Sequence, residues 1–384
     1  MSSMSDSYKN SANTPSKQTL TKYIAMALLA LLSFGLTGLG AIVVMFALST
    51  LRAGRDSAAS HGISSRNSSR LGGVAIVITF ILFLIGMVLL SSYTPGVVRD
   101  VTFLHVWSTV FVCVILGGAE DIKADLLSPY FRLVVKLLAF GFFLWTTPNV
   151  VPLVIGIPGI DYLLSVPLVA WGLCTIFCVG FINAFNMADG ANGLIPGIAT
   201  IAFGILFLGY GRPAEGVLFF VCLMFLIFNV VSGWFFLGVM GSYGLGAVLV
   251  CYGLLGVAQG DFSAGFMASL LSYPCVDFLV SVIRRLRKGL SPLQADNGHL
   301  HNRLYSFYAP KFKSRVTPNS LTGLTISSGS SGVSLIIYVF DWIAIDSNTW
   351  FGIFGIQVVV YLIILSRLRR TQMNQSELII RMSS

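Results

Sequence analysis

Apolar residues run almost unbroken for about 17 to 25 positions at a time, the length that spans a bilayer as a helix. Such runs cover 23–51, 71–92, 101–118, 131–147, 163–182, 191–210, 214–232, 235–258, 263–283, 322–345 and 350–366. Only helices and closed barrels satisfy every backbone polar group inside hydrocarbon, so these runs predict an all-α, polytopic integral membrane helix bundle of about eleven transmembrane helices. The first 22 residues are polar and rich in Ser, Thr and Asn, and read as a disordered tail. The apolar run after them is too long for a signal-peptide core, so a retained span is expected. Residues 23–366 then form one transmembrane domain with loops at 52–70, 119–130 and 284–321, and 367–384 form a tail.

Composition narrows the class. Hydrophobic residues make up 55% of the 384 residues and charged ones 10%, with mean hydropathy +0.85. A soluble domain carries about 25% charged residues, so too few are present to coat a water-facing surface. The six cysteines fall in apolar stretches and read as buried thiols, not as a disulfide framework or a zinc site. The net charge of +9 comes from Lys and Arg at span ends and in two loops, which fits anionic head groups and excludes a nucleic-acid reading. With eleven spans, all but Lys9, Lys17, Lys22, Arg99 and Arg212 fall on one face, 19 of 24 in total. The positive-inside bias makes that face cytoplasmic, in an inner (plasma) membrane.

The polar residues that hydropathy leaves unexplained gather on the same face. Arg70-Leu71-Gly72-Gly73 opens the second span, and its glycine pair admits another backbone or a phosphate. Glu120-Asp121 follow Gly117-Gly118 at the end of the third, where adjacent carboxylates are costly unless a cation or a reacting group uses them. Asn183, Asn186 and Asp189, spaced by three, share one face if the stretch is helical and can hydrogen-bond a base or a sugar. Asp277 lies inside an apolar helix and needs a partner; Arg284, seven residues on, returns to its face beside Arg285, Arg287 and Lys288. His299 and His301 are two apart and cannot share a helix face, so a loop or extended segment must present them if both act together, after a basic cluster suited to phosphates.

Taken in order, these motifs resemble the polyprenyl-phosphate N-acetylhexosamine-1-phosphate transferases, glycosyltransferase family 4, the superfamily of phospho-N-acetylmuramoyl-pentapeptide transferase. The likeness runs from about residue 60 to 305 and is carried by Arg70-Leu-Gly-Gly, Glu120-Asp121, Asn183-x-x-Asn186-x-x-Asp189-Gly, Pro274-x-x-Asp277 through Arg284-Arg285 to Ser291-Pro292, and His299-Leu-His301. The last stretch is nearer the N-acetylglucosamine and O-antigen initiating branch. The resemblance implies transfer of a sugar 1-phosphate from a UDP-N-acetylhexosamine to a polyprenyl phosphate, with release of UMP, for cell-envelope glycan synthesis such as O-antigen or cell wall. It implies magnesium, or manganese in its place. Glu120 and Asp121 would be catalytic and the metal ligands. Arg70, Asn183, Asn186, Asp189, Arg284, Arg285, His299 and His301 would bind substrates. Expected partners are both substrates and the membrane, with a homodimer left open.

Two departures stand out. Where the family carries an aspartate in Phe-Leu/Met-Gly-Asp-x-Gly-Ser, this chain has Val239 within Phe236-Leu237-Gly238-Val239-Met240-Gly241-Ser242, and Val offers no oxygen to a hard cation. Glu120 replaces the first of the paired aspartates. Two readings therefore stay open: an active transferase, or a silent relative that binds polyprenyl phosphate or UDP-sugar as a scaffold or regulator. A transporter would place its polar groups near the bilayer midplane, which these motifs do not.

Overall fold

The computed structural model describes residues 28, 35, 37–51, 69–90, 101–123, 126–211, 213–233, 235–291 and 297–383. The expected tail 1–22, residues 52–68 and Pro292–Asp296 lie outside these. The helices are α1 (Thr37–Thr50), α2 (Gly72–Leu90), α3 (Val101–Ile122), α4 (Pro129–Thr146), α5 (Pro158–Leu164), α6 (Pro167–Ala188), α7 (Leu194–Tyr210), α8 (Pro213–Ser232), α9 (Gly238–Gln259), α10 (Ala264–Leu270), α11 (Ser272–Arg287), α12 (Leu300–Tyr308), α13 (Val316–Ser327), α14 (Val333–Val339) and α15 (Trp350–Ser383). Among the described residues seven helices are long and apolar enough to cross a membrane, or eight with the bent pair α10 and α11 counted as one span. Three shorter apolar helices, at Thr37–Thr50, Gly72–Ile85 and Leu194–Gly209, account for the remaining expected runs. The chain is a multi-pass, all-α membrane protein.

Helix α9 is the axis of the bundle. Of its most apolar 18 residues 83% are buried, against 17% for the same length of α15, which lies at the lipid-facing rim. Its closest packing is against α3, α6 and α2. Glycines bring these backbones together: a methyl at Gly117 would lie 2.6 Å from the Met240 nitrogen and Cα, and one at Gly73 would strike the backbone of Gly241. The Gly72-Gly73 pair therefore admits a backbone here. Five of the six cysteines are buried and the sixth, Cys275, is half-buried; all are free thiols, as expected.

Among the described residues one span is broken where the sequence suggests a continuous helix, and another is locally widened. Helices α10 and α11 meet at 79° around Leu271. Pro274 sits in the first turn of α11, where its missing N–H leaves no intrahelical bond unmade. Helix α13 continues into α14 through a wider helical turn at Ser328–Gly332, and Ser331 Oγ there donates to Leu270 O at 2.6 Å, satisfying a carbonyl that the break between α10 and α11 exposes. Residues 284–321, expected to be a loop, are largely helical through the end of α11, α12 and the start of α13. Hydropathy marks where a chain is apolar, so it misses surface helices such as α12. Helix α3 likewise runs to Ile122, placing Glu120 and Asp121 in its last turn and not in a connecting turn.

Candidate active site

The site begins where three chain segments meet at the start of α9. Residues 69–73 pair with 235–237 through Phe236 N–H to Ser69 O (2.9 Å), Gly72 N–H to Phe236 O (3.0 Å) and Gly73 N–H to Leu237 O (2.7 Å). Gly238 then takes φ +74°, and a side chain there would meet the Arg70 carbonyl and the Asp121 carboxylate. The turn aims the first free N–H groups of α9 at α3. Val239 N–H donates to Asp121 Oδ1 at 2.9 Å and Met240 N–H to Oδ2 at 2.8 Å. Asp121 thus caps a helix from another helix, at the positive end of its dipole. Arg70 is half-buried, with its charge near the same carboxylate. Glu120 forms an ion pair with Arg132 at 3.3 Å.

The end of α6 lies alongside. The stretch is helical through Ala188, as the Asn spacing suggests. Asn183 Oδ1 accepts from the buried Lys136 Nζ at 2.5 Å, and its amide donates to Val179 O at 2.9 Å. Lys136 also sits 4.1 Å above the Tyr243 ring. Asn186 Oδ1 accepts from Ser242 Oγ at 2.7 Å, tying α6 to the first turn of α9. Asp189 follows as the C-terminal residue of the helix and is half-buried. Burial, and then the charge of Asp121, pushes its carboxyl up to about 8, so it keeps its proton at neutral pH.

A buried amide knot fixes the loop beyond. Asn192 N–H donates to Asn319 Oδ1 (3.0 Å), Gly193 N–H to Asn229 Oδ1 (2.7 Å), and Asn229 Nδ2 to Phe235 O (2.8 Å). Gly193, at φ +78°, turns the chain into α7. Gly190 lies against His301 Nε2, so close that no side chain fits between them.

That contact joins the Asn-Asp motif to the histidines. His299 is the extended residue before α12 and His301 lies in its first turn; their rings stack at 5.2 Å and 9°. Only His299 is extended: the helix begins between the two, so a junction of loop and helix presents both rings, and not an extended segment alone. Asp277 finds its partners in His299 Nδ1 (2.5 Å), Leu300 N–H (3.1 Å) and Tyr361 Oη (2.7 Å). The expected partner Arg284 is on the same face but donates to Ser281 Oγ at 2.9 Å, because the carboxylate is already enclosed. Gly298 packs against its guanidinium. Arg285 is buried, whereas Arg287 and Lys288 are exposed. His301 Nδ1 lies 2.9 Å from Tyr273 Oη, and burial pushes its imidazole down to about 4 against the pull of Asp277, leaving it neutral.

The structure thus gathers Arg70, Glu120, Asp121, Asn183, Asn186, Asp189, Arg284, His299 and His301 at one end of the bundle. Sequence reasoning missed Lys136, Tyr273, Tyr361 and the Asn229–Asn319 knot. Lys136 carried a signal, a lone ammonium deep in an apolar run; the others are joined across long sequence separations. As magnesium ligands, Glu120 and Asp121 are committed to Arg132 and to α9, and Val239 supplies no oxygen. Among the described residues no group of three His, Cys, Asp or Glu could hold a metal ion. As they are placed, these described residues do not fit a resident metal centre.

Comparison with known proteins bears on this same region. The family model described as "Glycosyl transferase family 4" matches residues 103–257, which hold Glu120, Asp121, the Asn-Asp motif and Val239. An undecaprenyl-phosphate alpha-N-acetylglucosaminyl 1-phosphate transferase from Thermotoga maritima is 35% identical over 127 residues, 33% of this chain and 40% of that protein. A decaprenyl-phosphate N-acetylglucosaminephosphotransferase from Mycolicibacterium smegmatis is 28% identical over 269 residues, 61% and 64% of the two chains. A probable undecaprenyl-phosphate N-acetylglucosaminyl 1-phosphate transferase from Bacillus subtilis is 24% identical over 318 residues, 79% and 81%. The aligned part spans less than two thirds of the first two relatives. With its motifs in family order and assembled at one end of a membrane bundle, the chain is similar across residues 103–257 to glycosyl transferase family 4.

Proposed function

We propose that this chain transfers an N-acetylhexosamine 1-phosphate from a UDP-sugar to a polyprenyl phosphate at the cytoplasmic leaflet, releasing UMP and initiating a cell-envelope glycan. The observation that carries this reading is the convergence of the Asn-Asp motif with the His299-His301 pair, at Gly190, beside basic side chains. One oxygen of the lipid phosphate attacks the β-phosphorus of the donor. The bond from that phosphorus to the bridging oxygen breaks, and UMP leaves with the electron pair.

A phosphate monoester has its second pKa near about 6, so at neutral pH the acceptor is largely ionised and needs little help from a base. The demand is for positioning and for positive charge against the phosphoryl oxygens. Arg70, Lys136 and Arg284 supply charge. Asn186 and protonated Asp189 offer hydrogen bonds to the nucleotide-sugar, and His299 and His301 face the pyrophosphate. Magnesium would come with the donor as its counter-ion and add positive charge at the pyrophosphate, since this ion is commonly held through substrate phosphates.

The commitment of Glu120 and Asp121, with Val239, favours a second reading, a silent relative that binds the same substrates. UMP release separates the two. Purified protein with polyprenyl phosphate, magnesium and a panel of UDP-hexosamines should release UMP with at least one donor. Thermal stabilisation by UDP-sugar with no UMP from any donor would establish the silent relative instead.

A further inference from the structure

Helix α15 is mostly a lipid-facing span, with Ile356, Val359, Val360, Leu362, Ile363 and Ile364 exposed. Its inward stripe is Gln357, Tyr361 and Leu365, at positions i, i+4 and i+8. Two of these three are polar. Gln357 accepts from Ser269 Oγ and donates to Ser330 O, each at 3.1 Å, which anchors the helix to α10 of the broken span and to the wide turn between α13 and α14. One turn on, the buried Tyr361 hydroxyl donates to Asp277 Oδ1 at 2.7 Å.

That bond has a directional consequence. Oδ1 of Asp277 is held by Tyr361 and by Leu300 N–H, which leaves Oδ2 to face His299 Nδ1. An imidazole whose Nδ1 is committed to a carboxylate presents its other nitrogen, Nε2, to whatever lies on the far side of the ring. Ser281 Oγ, 3.3 Å from Nδ1, and the stacked His301 ring limit rotation further. We propose that Tyr361 is a positioning residue that acts through Asp277 to set the orientation and tautomer of His299, making the C-terminal span part of the phosphate-binding machinery. The role in phosphate recognition rests on the transferase reading; the effect on the imidazole does not.

The test uses the full-length chain in nanodiscs with Tyr361→Phe, His299→Ala and the double variant. Nitrogen-15 NMR of the ring nitrogens is tractable because the chain has four histidines. Wild type should give a His299 signal with a protonated, strongly hydrogen-bonded Nδ1, and Tyr361→Phe should shift it toward exchange between tautomers. UDP affinity should fall roughly tenfold in Tyr361→Phe, as for loss of one hydrogen bond to a charged group. In the His299→Ala background the same substitution should add no further loss, because coupled residues are not additive. An unchanged His299 signal in Tyr361→Phe, or additive losses of UDP affinity, would overturn the proposal. Wild type that binds UDP and shows the expected cycle but releases no UMP would instead overturn the transferase reading and leave the positioning role standing.

Discussion

Asp121 illustrates how one side chain can look like chemistry and serve architecture at once. Both of its oxygens accept from the first turn of α9, so an asparagine there would turn one N–H₂ toward a backbone donor. Asp121→Asn should therefore lower stability by about 1–3 kcal/mol, the cost of an unmet buried donor, along with any loss of turnover. An unchanged melting temperature with turnover abolished would make the residue purely catalytic. Asp189 carries a different signature. Its folded carboxyl, near 8 through burial first and Asp121 second, holds a proton that an unfolded Asp sheds near about 3.9. Between roughly pH 4 and pH 8 the folded chain binds the extra proton, so stability falls as pH rises through that window. Asp189→Asn removes the slope. The melting temperature of the variant relative to wild type should climb from about pH 5 to about pH 8, and a constant difference would contradict the assignment.

At the scale of elements, the site exists because α3 and α2 come within backbone contact of α9. Adjacent glycines make the point testable. A methyl at Gly117 meets the Met240 backbone at 2.6 Å, whereas one at Gly118 finds nothing nearer than the flexible Met240 Sδ at 3.6 Å. Gly117→Ala should cost about 1–3 kcal/mol, as overpacking does, and Gly118→Ala should be close to neutral. Equal melting temperatures for the two variants would mean that the helices are not in backbone contact. Much of this level was legible in the sequence. The apolar runs marked the spans, and the three-residue spacing of Asn183, Asn186 and Asp189 placed them on the end of a helix, because both signals are local. The capping of Val239 by Asp121 joins residues 118 positions apart through backbone N–H groups, which leave no trace in side-chain identity. Tyr361 and Asp277 are 84 apart, and the tyrosine sits in an apolar run where an aromatic is unremarked.

On the scale of the whole molecule, the account requires one polar end carrying all the motifs and one opposite end without them. The exposed Lys288 lies near the first and the exposed Trp342, between α14 and α15, near the other. Single cysteines at these positions should label from opposite sides of the membrane, with Lys288→Cys reached only from the cytoplasm; the native thiols are largely buried and should give low background. Labelling of both from one side would break the topology. The motif order, legible from about residue 60 to 305, pointed to the family whose model matches residues 103–257, but the commitment of Glu120 and Asp121 within the fold appears only in three dimensions. The most direct test of the central claim follows the donor's β-phosphate. With UDP-N-acetylglucosamine labelled there with phosphorus-32, and polyprenyl phosphate as acceptor, the transferase reading predicts that the label moves into the lipid phase as UMP accumulates in water. Label that stays in the aqueous phase, across the panel of UDP-hexosamines, would contradict it.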